Sequence, residues 1–169
     1  GIIAAVEAGG QGAIMAPTEI LARQHFETLS PLAKKVGVSL NLLTGRDKGT
    51  ARNKKLIDLK EGKTNIIIGT HALFQADVVF KDLRLAVVDE QHRFGVRQRL
   101  ELGKKGSVVD LLLMTATPIP RSLALAHYGD MDFSIIKQKP PGRKPINTAL
   151  ISSSRIDEVV DKLKNSLAK

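Results

Sequence analysis

Asp89 and Glu90 follow directly on the apolar run Leu85-Ala86-Val87-Val88, and the chain continues Gln91-His92-Arg93-Phe94-Gly95. A short apolar run rich in Val and Leu reads as a buried strand, and a strand ending on aspartate delivers a carboxylate to the sheet edge. One such carboxylate can hold hydrated magnesium, which takes one or two carboxylates and completes its shell with water and phosphate oxygens. Glu90, one residue on, can orient a water or accept its proton. His92 and Arg93 set cationic side chains beside the pair, where a sensor of phosphate charge would be useful. Asp89 and Glu90 are therefore the candidate metal and catalytic residues, with His92 beside them. A solvated acidic turn would look the same at the dipeptide alone, so the flanking residues carry the assignment. The chain contains no Gly-x-x-x-x-Gly-Lys-[Ser/Thr] segment to cradle nucleotide phosphates.

Four other strand ends carry small hydroxylated or basic residues. Thr115-Ala116-Thr117-Pro118 closes the apolar run after the acidic pair, and its two hydroxyls could hydrogen-bond the carboxylates and report their state. Ala16-Pro17-Thr18-Glu19, Leu43-Thr44-Gly45 and Gly69-Thr70-His71 each lie just past a strand. Singly these are ordinary turns: Thr18 reads as a helix cap and His71 as a structural hydrogen-bonder. Ligands of open parallel sheets bind at the carboxyl ends of the strands. Three such turns on one edge therefore predict a backbone-binding track through Pro17, Thr18, Gly45, Thr70 and His71.

The elements that must position these groups alternate strand with helix. Strands are expected at 12–16, 38–43, 65–69, 85–89 and 108–114, with little polar alternation, as when helices cover both faces of a mostly parallel sheet. Ala22, Phe26, Leu29, Ala33 and Val36 recur at helical spacing. Pro31 is expected to kink or restart that helix, and Gly37 to end it. A second helix is expected over 50–61 with Gly62 as its stop, and 2–8 reads as the tail of a helix. Pro140-Pro141-Gly142-Arg143-Lys144-Pro145 is a stiff basic connector, followed by one strand over 146–151 and one helix over 155–168.

Composition narrows the classes. At 169 residues the chain can bury one proper core, and 43% apolar with 25% charged residues argues against disorder. No apolar run reaches membrane-spanning length, so no membrane partner is expected. The absence of cysteine excludes disulfides and thiolate metal sites and agrees with a cytoplasmic address. A net charge of +9 favours a polyanionic partner, nucleic acid first. Aromatic residues make up only 4%, so contact should run through phosphates rather than stacked bases.

Taken in order, several segments closely resemble the first motor domain of superfamily-two helicases, and within them the RecG branch-migrating DNA helicases. They are Met15-Ala16-Pro17-Thr18-Glu19-Ile20-Leu21-Ala22-Arg23-Gln24-His25, Leu43-Thr44-Gly45, Ile68-Gly69-Thr70-His71-Ala72-Leu73, Asp89-Glu90-Gln91-His92-Arg93-Phe94-Gly95-Val96-Arg97-Gln98-Arg99, Met114-Thr115-Ala116-Thr117-Pro118-Ile119-Pro120-Arg121 and the Pro-Pro-Gly-Arg connector. The bacterial transcription-repair coupling translocase looks similar over the same segments, but Gln91 and the connector fit RecG better.

The resemblance implies an α/β, RecA-like motor domain over 1–139, truncated at its N-terminus, a linker over 140–145, and the first strand and helix of a second motor domain over 146–169. It implies ATP and Mg²⁺ as cofactors, with Asp89 holding the metal and Glu90 activating the water. His92 with Thr115, Ala116 and Thr117 would couple the nucleotide state to DNA, and Pro17, Thr18, Gly45, Thr70 and His71 would line the DNA. The implied partner is branched or single-stranded DNA held mainly by its backbone. The implied activity is ATP-driven remodelling of replication forks and Holliday junctions in recombination and repair. The family's Gly-rich, lysine-bearing loop is missing from these residues. The expectation is a chain cut at both ends that does not hydrolyse ATP alone, the rival being a non-enzymatic, loop-less DNA-binding module.

Overall fold

The computed structural model describes residues 1–90, 105–106, 108–117, 132, 134–138, 140, 142, 146 and 148–167. The chain divides into two compact units, Gly1–Pro120 and Arg121–Lys169.

The first unit is built on five parallel strands in the spatial order β2-β3-β1-β4-β5. In chain order they are β1 (Gln11–Met15), β2 (Leu40–Leu43), β3 (Ile66–Gly69), β4 (Leu83–Val88) and β5 (Asp110–Leu113). Helices α1 (Ile2–Glu7), α2 (Glu19–Lys35) and α3 (Gly49–Lys60) connect or precede them, and a 3₁₀ turn (His71–Phe74) follows β3. This is the α/β architecture the strand–helix alternation predicts.

Successive strand residues point to opposite faces, and in the central strands β1, β3 and β4 both sets are apolar and join a core. Ala13, Met15, Ile67, Ala86 and Val88 join one core, against which Leu59 and the partly buried Leu56 of α3 pack. Ile14, Ile66, Ile68 and Val87 join the other, with Ala22, Leu21, Phe26 and Leu29 of α2 and Ile2, Ile3 and Val6 of α1. Gly12 lets α1 lie close, since a Cβ there would collide with the Ile2 side chain. Gly37 (φ +69°) and Gly62 (φ +79°) stand just past α2 and α3 in the left-handed region, the helix stops the sequence predicts.

The amino edge of the sheet is fastened by Gln11, 3% exposed. Its Nε2 donates to the carbonyls of Leu59 (2.8 Å) and Thr64 (2.7 Å), and its Oε1 accepts the N–H groups of Lys81 (2.7 Å) and Asp82 (3.0 Å).

Two expectations need correction. Helix α2 runs unbroken through Pro31. The proline lacks one N–H, but the apolar face of α2 is packed on the sheet on both sides of it, at Phe26, Leu29 and Ala33. Residues 146 and 148–151 form no strand among the described residues, and Ile146 and Leu150 are exposed. An apolar stretch becomes a strand only when a neighbour takes its backbone groups. Beyond it, a 3₁₀ turn (Ser153–Arg155) leads into α4 (Ile156–Leu167), which matches the expected final helix.

Candidate functional site

Parallel register brings the chosen turns to one edge. Leu43, Gly69, Met15, Val88 and Leu113 pair across the sheet in a single row and are the last residues of their strands. The ladder continues one residue further, with Ala16 N–H on Gly69 O, Asp89 N–H on Met15 O and Met114 N–H on Val88 O, each 2.9 Å. Thr44, Thr70, Ala16, Asp89 and Met114 therefore open five loops side by side. At about 4.8 Å per strand, the Thr44 turn and Asp89 stand roughly 14 Å apart along the edge.

Asp89 continues the alternation of β4: Val87 faces α2, Val88 faces away, and Asp89 returns to the α2 side. There His25 Nε2 of α2 lies 3.0 Å from Asp89 Oδ2. Asp89 Oδ1 accepts the Glu90 N–H at 2.9 Å. Glu90 has φ +50°, the one positive value on a non-glycine among the described residues. Such a conformation costs on the order of 1 kcal/mol, and the Asp89 carboxylate supports it by accepting the amide. The chain thus turns sharply just after the aspartate. His92 lies outside the described residues.

Asp89 fits a single-carboxylate magnesium ligand. Its two oxygens offer about four lone-pair positions, and the two protein hydrogen bonds leave room for a cation. Among the described residues no three His, Cys, Asp or Glu side chains form a metal cage, but magnesium does not need one. Nucleotide is a different matter. With no phosphate-cradling segment in the sequence, the residues present do not make an ATP site by themselves.

Thr115 and Thr117 lie beyond β5, the neighbour of β4. Their hydrogen bonds are to each other: Thr115 Oγ1 donates to the Thr117 carbonyl, accepts the Thr117 N–H and stands against Thr117 Oγ1, each at 3.2 Å. The loop through Ala116 is a compact hydroxyl-closed turn on the strand next to the acidic pair.

The other side of the edge is more tightly organised. Thr18 caps α2, its Oγ1 accepting the Leu21 N–H at 3.3 Å. Glu19 takes Arg23 one turn along (2.8 Å) and Arg46 of the loop after β2 (3.1 Å). That loop is braced from below: Asp47 Oδ2 accepts the Thr44 N–H at 2.7 Å, and Asp47 Oδ1 takes the Lys55 ammonium, which also reaches the Leu42 carbonyl. Burial pushes the Asp47 carboxyl up, but the bonds from Lys55 and the Thr44 amide and hydroxyl outweigh it and hold it below the usual range. Gly45 stays exposed at the tip. Thr70 is buried, and its carbonyl accepts the Leu73 N–H at 3.0 Å to open the 3₁₀ turn that presents exposed His71. Pro17 is half-buried between β1 and the helix cap.

The sequence profile described as DEAD/DEAH box helicase matches residues 2–125. The chain belongs to the DEAD/DEAH box helicase family. Within that family it is 48% identical over 168 residues to the ATP-dependent DNA helicase RecG of Haemophilus influenzae, covering 97% of this chain and 24% of that protein. It is 51% identical over 164 residues to the RecG of Staphylococcus epidermidis, covering 96% of this chain and 24% of that one. A solved structure of RecG bound to a three-way DNA junction superposes with a TM-score of 0.81 at 43% identity, over 99% of this chain and 22% of that chain. The chain thus spans about a quarter of the length of the RecG proteins it matches, and its sheet is that of a RecA-like motor domain.

Motif spacing in this helicase-family chain did not point to His25, Arg46, Asp47 or Lys55 as site residues. For His25 a signal existed. It stands four residues from both Leu21 and Leu29, on the stripe of α2 that packs on the sheet, where a polar side chain needs a partner.

Proposed function

We propose that this chain is the motor domain of a RecG-type DNA helicase that holds magnesium at Asp89 and tracks DNA along the opposite half of the same edge. In the whole protein, ATP hydrolysis would drive remodelling of branched DNA such as forks and Holliday junctions. The observation that carries the reading is the single row of strand ends that sets Thr44-Gly45, Thr70-His71, Pro17-Thr18, Asp89-Glu90 and Thr115-Ala116-Thr117 on one edge. The similarity to RecG, one of whose solved structures is bound to a three-way DNA junction, supports the same reading.

Each residue then has a role. Asp89 holds the cation, which when bound neutralises phosphate charge. Glu90, at the turn that follows the aspartate, would orient a water in the whole protein. The Thr115-Ala116-Thr117 turn and His92 relay the state of that pair. Pro17, Thr18, Gly45, Thr70 and His71 meet the DNA backbone, with Arg46 and Arg23 adding positive charge beside them. Because the chain lacks a phosphate cradle, these residues alone do not turn over ATP.

Fluorescence anisotropy with a labelled three-way junction, a single strand and a duplex tests the track. Three turns engaging on the order of three phosphates predict that raising salt from about 50 to 200 mM weakens binding roughly 20- to 40-fold. Base sequence should matter little. Salt-independent or strongly sequence-selective binding would refute the backbone track, and magnesium-dependent ATP turnover by the purified chain would refute the inactivity.

A further inference from the structure

His25 and Asp89 are 64 residues apart in sequence and 3.0 Å apart in space. The imidazole is 32% exposed and the carboxylate 23%, so the bond is partly shielded from water. It is a side-chain tie between the two halves of the edge, beside the backbone bond from the Asp89 N–H to the Met15 carbonyl. Helix α2 begins at the Thr18 cap, seven residues before His25 and about 10 Å along the axis. Over that length a helix moves as a rod. Whatever fixes His25 therefore fixes the direction in which the Pro17-Thr18 turn is presented.

The same bond acts on Asp89. A carboxylate at the end of a strand can rotate about its side-chain bonds. Here Oδ1 is held by the Glu90 amide and Oδ2 by the imidazole. With both oxygens held in place, the remaining lone pairs keep a constant direction. Partners of this kind, which orient a ligand without touching the metal, are typically worth about 10- to 100-fold in metal affinity.

We infer that His25 is a positioning residue that couples the two activities of the edge: it orients Asp89 for a divalent cation and anchors the helix that carries the DNA-facing turn, so cation binding and DNA binding strengthen each other. The inference rests on the function proposed above. Because such coupling is a free energy shared between sites, it must act in both directions: metal should tighten DNA binding, and DNA should tighten metal binding.

The test uses the purified chain with Mn²⁺ alone as the metal probe, its binding followed by water-proton relaxation at constant ionic strength. DNA affinity is measured with a labelled single strand, with and without Mn²⁺. Asp89→Asn identifies the part of each signal that belongs to this site, and thermal melting checks that every variant is folded. His25→Ala should weaken the Asp89-dependent Mn²⁺ binding about tenfold or more. It should also abolish the Mn²⁺-induced gain in DNA affinity. His25→Gln, which keeps a side-chain N–H donor, should recover both at least in part. A purely structural histidine would instead lower the melting temperature and leave the coupling intact in the folded protein. Wild-type coupling that survives in His25→Ala overturns the inference alone, as does His25→Gln that fails to recover either signal. A wild-type chain with no Asp89-dependent Mn²⁺ binding, or with no DNA binding, overturns the proposed function and the inference together.

Discussion

Alanine at Gly69 should destabilise the first unit by about 1–2 kcal/mol, and the reason lies in the row of strand ends. Gly69 is the last residue of β3 and pairs with Leu43 on one side and Met15 on the other. A Cβ there would collide with the Leu43 carbonyl oxygen and fall 2.8 Å from Leu73 Cγ and 3.1 Å from its Cδ2. Neither neighbour can yield easily. The carbonyl belongs to the backbone of β2, and Leu73 is fully buried. Relief requires β2 to move away from β3 at the edge that carries Thr44 and Thr70. Overpacking of this kind costs about 1–3 kcal/mol, while alanine's smaller unfolded-state entropy returns about 0.4–1 kcal/mol. For a unit of 120 residues the net cost corresponds to a fall in Tm of roughly 4–8 °C. Gly45→Ala is the control. Nothing lies within 4 Å of the position a Cβ would take, and its φ is not positive, so the entropy gain is unopposed and the variant should be more stable by about 0.4–1 kcal/mol. Thermal melts by circular dichroism separate the two, and DNA anisotropy at a temperature where both are folded should show a loss for Gly69→Ala. Equal melting temperatures for wild type and Gly69→Ala would refute the steric argument, and so would a Gly45→Ala variant that melts as low as Gly69→Ala.

Two further substitutions probe the opposite ends of the sheet. Asp47→Ala leaves the Thr44 N–H without its acceptor and the Lys55 ammonium with the Leu42 carbonyl but no carboxylate, which should cost about 1–2 kcal/mol near neutral pH. Because the folded carboxyl lies below its ordinary value, its contribution is complete above the unfolded pKa of about 3.9 and is lost as pH falls through the folded one. The gap between wild type and variant in urea unfolding should therefore close as pH drops below about 4; a gap that stays constant down to pH 2 would contradict the assignment. Gln11→Ala removes one hydrogen bond from each of four backbone groups, the Leu59 and Thr64 carbonyls buried and the Lys81 and Asp82 amides partly so, and should cost about 2–4 kcal/mol. It lies at the far end of β1 from Pro17, so DNA affinity of the folded molecule should not change; a loss of less than about 1 kcal/mol would show that Gln11 is no fastener.

The strand ends were legible because a parallel strand covered on both faces is a continuous apolar run, and the first polar residue after it marks the edge. Asp89 after Val88 and Thr44 after Leu43 follow that rule directly. The strand starts were less legible. The apolar run before Asp89 begins at Leu85, yet β4 starts at Leu83, because Arg84 can stay half-exposed and take the Asp82 carboxylate and the Ala8 carbonyl while its backbone remains in the ladder. Pro31 misled in the opposite way, since a local rule about one hydrogen bond was outweighed by packing before it at Phe26 and Leu29 and after it at the buried Ala33. The last strand failed because pairing depends on a neighbour that no local pattern supplies.

The contacts that tie the site together belong to a third class. His25 to Asp89 and Arg46 to Glu19 depend on the phase of α2 over the sheet and on the reach of a loop, and neither is encoded by spacing along the chain. Their trace in sequence is indirect: a histidine on an apolar stripe, and an arginine two residues past a strand end. That difference has a physical consequence for the acidic pair. The position of Asp89 is set by β4, but its orientation is set by α2, an element that also carries one of the DNA-facing turns. A change that shifts α2 by a fraction of an ångström would leave the strand ends in register and still alter how the carboxylate meets a cation. Substitutions along the packed face of α2, at Phe26 or Leu29, are therefore expected to disturb the acidic pair more than conservative changes within β4 itself.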